Sequence, residues 1–234
     1  LVGLLPPAAE KVIRKRCRDL GARFYKVSNR DFAVLPDKMS LNFKFNGMSL
    51  KNVTPSLAGP QQLRNAALTL KAVSILNGRG LPVSKRAILE GISNTDWPGR
   101  FQIIDYRNKP THIFDVCHNE AGVRAFVDTF EIRFPGKRAR IITGFVKRKE
   151  HQKMFNSLSR VADSYALVPL RTGRSTDLND LIKLIDFKDI SYKKYGSLET
   201  AYKRTLGASG RDDVVAVIGS HYLVGEFFAK YGVR

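Results

Sequence analysis

Cysteine is scarce: Cys17 and Cys117 are the two in 234 residues, and they stand far apart in the chain. That excludes a disulfide framework and a zinc-ligand spacing, and it fits a reducing compartment. The expected location is therefore the cytoplasm or an organellar matrix. No apolar run approaches the roughly 20 residues needed to cross a bilayer, so no membrane span is expected. Residues 1–9 lack the charged start and cleavage pattern of a secretory signal. Leu1 is not an initiator Met, so a start upstream of it is expected. No Gly-x-x-x-x-Gly-Lys-Ser/Thr string occurs, which excludes a phosphate-cradling loop of that kind in these residues. No metal site is expected either. Acid is the last shortage: 21 Asp+Glu face 40 Lys+Arg, a formal net charge of +19. Such an excess suits polyanionic partners such as nucleotides, polyglutamate tails or RNA, or it is a solvated basic surface. It speaks to partners and solubility, not to fold.

What is present has the order of an α/β protein. Pro6-Pro7 opens a basic helix to about residue 20, closed by Gly21. Strands are expected over 22–27, 31–35 and 41–45, the last from its alternation of apolar and polar residues. Helices are expected over 61–76 and 84–93. After Trp97-Pro98-Gly99 the pattern changes. Strands over 100–105 and 111–116 flank a turn at Asn108-Lys109-Pro110. Helix and strand then alternate: helices at 120–134, 150–162, 178–184, 198–206 and 222–231, strands at 138–143, 164–170, 190–192 and 213–218. Val214-Val215-Ala216-Val217-Ile218 is a continuous apolar run, which marks a strand covered on both faces and hence a mainly parallel sheet with flanking helices. The domain boundary is expected at about Asp96/Trp97.

Four places carry polar residues that such a fold does not demand. Ligands gather at the carboxyl ends of strands in open parallel sheets, where Asp115, His118 and Asn119 stand; alternatively, Asp115 and Asn119 stabilise a turn. Arg100 is either a phosphate ligand or a surface cation at a strand start. Asn65 lies in line with Leu68, Ala72, Ile75 and Leu76, which makes it a polar residue in an apolar stripe. Gly219-Ser220-His221 follows the last apolar strand, as a ligand loop or as an ordinary turn with a Ser cap.

Taken together, Leu63-Arg64-Asn65-Ala66-Ala67, Trp97-Pro98-Gly99-Arg100-Phe101-Gln102, Phe114-Asp115 with His118-Asn119, and Gly219-Ser220 resemble the Mur ligase superfamily, in particular its folylpolyglutamate synthase/dihydrofolate synthase branch. The resemblance covers nearly the whole chain. It implies a Rossmann-like C-terminal glutamate ligase domain over residues 97–234, preceded over 1–96 by the last part of the central ATPase domain. It further implies ATP and Mg²⁺ as cofactors, with L-glutamate and folate or dihydropteroate as substrates joined through an acyl phosphate. Asn65, Arg100 and Asp115 match positions that hold ATP, Arg100 toward the phosphates. His118 matches a catalytic position near the nucleotide and incoming glutamate, and Ser220 a glutamate-binding one. The family's metal-binding Glu and His have no counterpart in these residues. In three places the sequence departs from the family's habit: Cys117 for a small residue, Glu120 for Pro, and Arg148-Lys149-Glu150 for Asp-Lys-Asp. The rival expectation is a degenerate relative recruited as an RNA-binding module, with phosphate contacts from residues 14–18, Lys147-Arg148-Lys149 and Lys193-Lys194.

Overall fold

A computed structural model of the protein describes residues 1–35, 39–185 and 189–233, and element counts are of these residues. The chain divides into two compact units, Leu1–Asp96 and Trp97–Arg234.

The first unit starts with α1 (Pro7–Asp19), which has Pro in its first turn, where no backbone donor is needed, and no buried residue. Gly21 follows it in the left-handed conformation, φ +64°. Strands β1 (Phe32–Leu35), β2 (Ser40–Phe45) and β3 (Met48–Val53) form an antiparallel sheet in that order. Asn46 and Gly47 both have positive φ, the requirement of the tight hairpin turn between β2 and β3. Helices α2 (Pro60–Asn77) and α3 (Lys85–Ser93) complete the unit, with Ser84 capping α3 through the amide of Ala87. Leu41, Phe43 and Leu50 of the sheet share one core with Leu63, Ala67 and Leu70 of α2. Lys71 is drawn into this core because its ammonium meets Asp31 at 2.8 Å and the carbonyl of Lys26 at 2.7 Å. Residues 22–27 are not a strand: their pairing is a single bridge between Val2 and Lys26.

The second unit comprises β4 (Gln102–Asp105), β5 (Thr111–Asp115), α4 (Glu120–Arg133), β6 (Ala139–Thr143), α5 (His151–Leu158), β7 (Ala162–Leu167), α6 (Leu178–Ile185), β8 (Ser191–Lys194), α7 (Leu198–Gly207), β9 (Val214–Ile218) and α8 (His221–Tyr231). The sheet order is β4-β5-β9-β6-β7-β8, with β4 antiparallel to β5 and every other pair parallel. All five residues of β9 are buried, as a central strand covered on both faces must be. Helix α5 is shorter than expected because β7 already begins at Ala162. On one face Phe114, Ile142, Val215 and Val217 share a core with Ala201, Leu223 and Phe227 of α7 and α8.

The return of the chain to place β9 between β5 and β6 is what positions a site. Register aligns Asp115, Ile218 and Thr143 in one row at the carboxyl ends of the three strands. The loops after β5, β9 and β6 therefore leave the sheet side by side.

Candidate functional site

The row begins with Asp115. Its carboxylate is 7 % exposed, and both oxygens are engaged, Oδ2 by the amide of Phe101 at 2.9 Å and Oδ1 by the amide of Cys117 at 2.7 Å. Burial pushes its pKa up to about 6, while those two amides and the charge of Arg100 pull the other way. The Asp115 side chain thus ties the loop before β4 to the loop after β5. The tied loop is tightly wound: Gly99 and Phe101 have φ of +74° and +47°. A Cβ on Gly99 would lie 3.0 Å from Val116. The Gly99 amide donates to Gln102 and its carbonyl accepts from Val116. Pro98-Gly99-Arg100-Phe101-Gln102 is therefore a device that fixes Arg100 at the carboxyl end of β5.

His118 is half-buried, and its Nδ1 bonds the Val116 carbonyl at 3.0 Å, so Nδ1 carries the proton and Nε2 is left for another partner. Its ring centroid is 5.5 Å from that of His221, the first residue of α8. The His221 pKa is lowered by burial, then by His118 and Arg100, which places the two imidazoles and the guanidinium within each other's field. Two helices also start here. Asn119 caps α4 by accepting from Gly122 at 2.8 Å, and Ser220 caps α8 by accepting from Tyr222 at 3.1 Å. Ser220 is 2 % exposed. Gly219, with φ +116°, makes this crowding feasible: a Cβ there would lie 2.7 Å from Thr143 Oγ1 and 2.8 Å from the Gly144 carbonyl. The result is an anion-seeking corner built from Arg100, His118, His221 and two helix N-termini.

The structure brings Arg100, Asp115, His118 and Ser220 to this one edge. Asn65 belongs to the first unit. It is exposed, not in an apolar stripe, because the inward face of α2 is Leu63, Ala66, Ala67, Leu70, Lys71 and Ser74. Its Nδ2 donates to Gln62 at 3.0 Å, and both residues border a cavity of about 340 Å³ between α2 and α3. His221 is the residue that sequence reasoning passed over. Its signal was its position directly after Gly219-Ser220, at the start of a helix following a central strand. Among the described residues no three His, Cys, Asp or Glu side chains gather as metal ligands, and no helix is long and apolar enough to cross a membrane.

Comparison with known proteins gives this edge its setting. The dihydrofolate synthase/folylpolyglutamate synthase of Bacillus subtilis is 26 % identical over 226 residues, covering 94 % of this chain and 51 % of that protein. The structure of Escherichia coli FolC in complex with DHPP and ADP superimposes with a TM-score of 0.79 at 25 % identity, covering 96 % of this chain and 51 % of the other. A Yersinia pestis bifunctional folylpolyglutamate synthase/dihydrofolate synthase complexed with AMPPNP and a Mn ion shares the fold, with a TM-score of 0.77 at 23 % identity over 95 % of this chain and 51 % of that one. The chain spans about half the length of these relatives. Residues 99–221, from the glycine that braces the Arg100 turn to the histidine that opens α8, match the family described as Mur ligase, glutamate ligase domain, and the chain belongs to that family.

Proposed function

We propose that the protein to which this chain belongs is an ATP-dependent ligase that adds L-glutamate to folate, to dihydropteroate or to both through an acyl phosphate. In this reading residues 97–234 are the glutamate ligase domain, and residues 1–96 are the closing part of the central ATPase domain. The observation that carries it is the coincidence of the family match with the Arg100–His118–His221 corner at the ligand edge of the sheet.

The corner fits a nucleotide's phosphates: it holds the Arg100 cation beside two imidazoles, its turn is braced, and it borders two helix starts. Arg100 would hold phosphate oxygens, where a planar fork of donors suits charge that builds during transfer. ATP would supply the activation of the substrate carboxylate. His118 would serve at Nε2, taking a proton from the incoming glutamate amine as the N–C bond forms and phosphate leaves. Asp115 would act on ATP mainly by fixing Arg100, since its oxygens already hold two amides. Ser220 would offer its hydroxyl hydrogen to glutamate, its oxygen being engaged in the cap. Asn65, on the first unit, is the remaining position that the family's pattern assigns to ATP. Magnesium fits less well: no cluster of ligating side chains forms among the described residues, so Mg²⁺ enters this reading as the nucleotide's counterion.

The four histidines of this chain serve as assigned probes, two inside the corner and two outside it. Histidine side-chain NMR of the full-length protein, titrated with ATP and then L-glutamate, should move His118 and His221 and leave His112 and His151 in place. Titrations that move neither His118 nor His221 would overturn the reading.

A further inference from the structure

The loops after β6 and β7 carry a charge that the corner does not use. We infer that they form a binding rail for a polycarboxylate chain, the kind of product that repeated glutamate addition builds; this rests on the proposed ligase reading.

Three observations converge. The first is placement. Thr143 ends β6 in register with Ile218 of β9, and Gly219 approaches the Gly144 carbonyl so closely that no Cβ fits between them. The loop after β6 is thus the immediate neighbour of the Ser220–His221 corner. The second is rigidity. The amide of Lys147 donates to the Arg174 carbonyl at 2.8 Å, and Thr176 donates to the Phe145 carbonyl at 2.8 Å. Val146 and Ser175 form an antiparallel bridge, and His151 Nε2 braces the Val146 carbonyl at 3.0 Å. The two loops are zipped into one ribbon. The third is charge. Lys147, Arg148, Lys149 and Arg174 have no carboxylate within ion-pair distance among the described residues, whereas Arg171 holds Glu226 at 3.1 Å and Glu150 is taken by Lys153. The opposite end of the sheet differs, since Arg140 there lies between Asp163 and Asp213.

Cations on a zipped ribbon keep their backbone spacing without a bound partner, so a ligand has only the side chains left to order. Lys147, Arg148 and Arg174 are exposed, and one exposed ion pair is worth little. A ligand that presents one carboxylate gains almost nothing from the rail. A ligand that presents several in series gains from each, because the first contact raises the effective concentration for the next. The rail therefore selects by chain length. Arg148-Lys149-Glu150, which departs from the acidic habit of the family, is part of what makes the loop basic.

The test uses the full-length protein at low salt, with fluorescently labelled pentaglutamate as probe and fluorescence anisotropy as readout. Replacing Lys147, Arg148 and Lys149 by Glu should weaken pentaglutamate at least about tenfold, as expected when serial contacts are lost. The same variant should leave the shifts that free L-glutamate induces at His118 unchanged. Lys137→Glu with Arg138→Glu, at the opposite end of the sheet, should change neither. Circular dichroism confirms that each variant is folded; should the triple variant not fold, Arg174→Glu alone should reduce pentaglutamate binding about threefold or more. Equal affinity of the unaltered protein for pentaglutamate and free glutamate would overturn the inference. So would equal loss in the rail and control variants, or an RNA oligomer of the same charge binding as tightly through the same residues. Failure of the ligase reading shows elsewhere, as silence at His118.

Discussion

Asp115 offers a quantitative handle, because the strap that fixes Arg100 depends on a buried titratable group. Its pKa stands at about 6, against an ordinary 3.8, and burial is the chief cause. A carboxyl whose folded pKa is raised holds its proton more tightly in the folded state. Stability from this group is therefore highest below pH 3.8 and falls as pH rises through about 6. The displacement corresponds to about 3 kcal/mol. Asp115→Asn keeps the shape and removes the titration, but it sets an NH₂ against one of the two amides, at a cost of about 1–3 kcal/mol. The stability of the unaltered protein relative to Asp115→Asn should therefore rise by about 2.4 kcal/mol as pH is lowered from about 7.5 to about 4. Taking the difference cancels groups of opposite sign, such as buried His112, whose pKa is lowered by burial. Urea unfolding followed by Trp97, the chain's one tryptophan and next to the strap, gives the measurement. Identical pH slopes in the two proteins would refute the reasoning.

Other consequences are as specific. Lys71→Met leaves Asp31 buried without its cation and should cost about 3–5 kcal/mol by chemical denaturation; adding Asp31→Asn should recover part of it. Gly219→Ala must move either Thr143 or the Gly144 carbonyl and also strain φ, so a loss of about 2–4 kcal/mol is expected in thermal or urea unfolding. His221 is held below its ordinary pKa by burial and by the neighbouring His118 and Arg100, so an anion in the corner should raise it. Phosphate affinity, followed by calorimetry, should then increase as pH falls below about 6.5, and His221→Leu should flatten that dependence.

Much of this was legible in the residues. The apolar run of β9 announced a central strand, and Pro98-Gly99, Asn119 and Gly219-Ser220 announced turns at the ends of the strands beside it. Strand β3 was missed although Asn46-Gly47 signals a hairpin, because its sequence, Met48-Ser49-Leu50-Lys51-Asn52-Val53, is half polar. The stripe through Asn65 was misjudged because the inner face of α2 includes Lys71 and Ser74. Both are polar groups that tertiary partners satisfy, Lys71 with Asp31 and Ser74 with the Phe45 carbonyl. Asp115 was singled out as a ligand residue; its engagement of two backbone amides appears only when β4 and β5 are paired. His221 was named only as part of the Gly219-Ser220 turn for the same reason: its meeting with His118 depends on β9 entering the sheet beside β5, a long-range arrangement no local pattern encodes.

The most direct measurement is ATP-dependent incorporation of labelled L-glutamate by the full-length protein, supplied in parallel with folate and dihydropteroate. The account predicts incorporation with at least one of them, and a fall of at least about a hundredfold in Arg100→Ala, the size of loss seen when one preorganised donor to developing charge is removed. No incorporation with either substrate by a folded protein, under conditions where a relative is active, would contradict it.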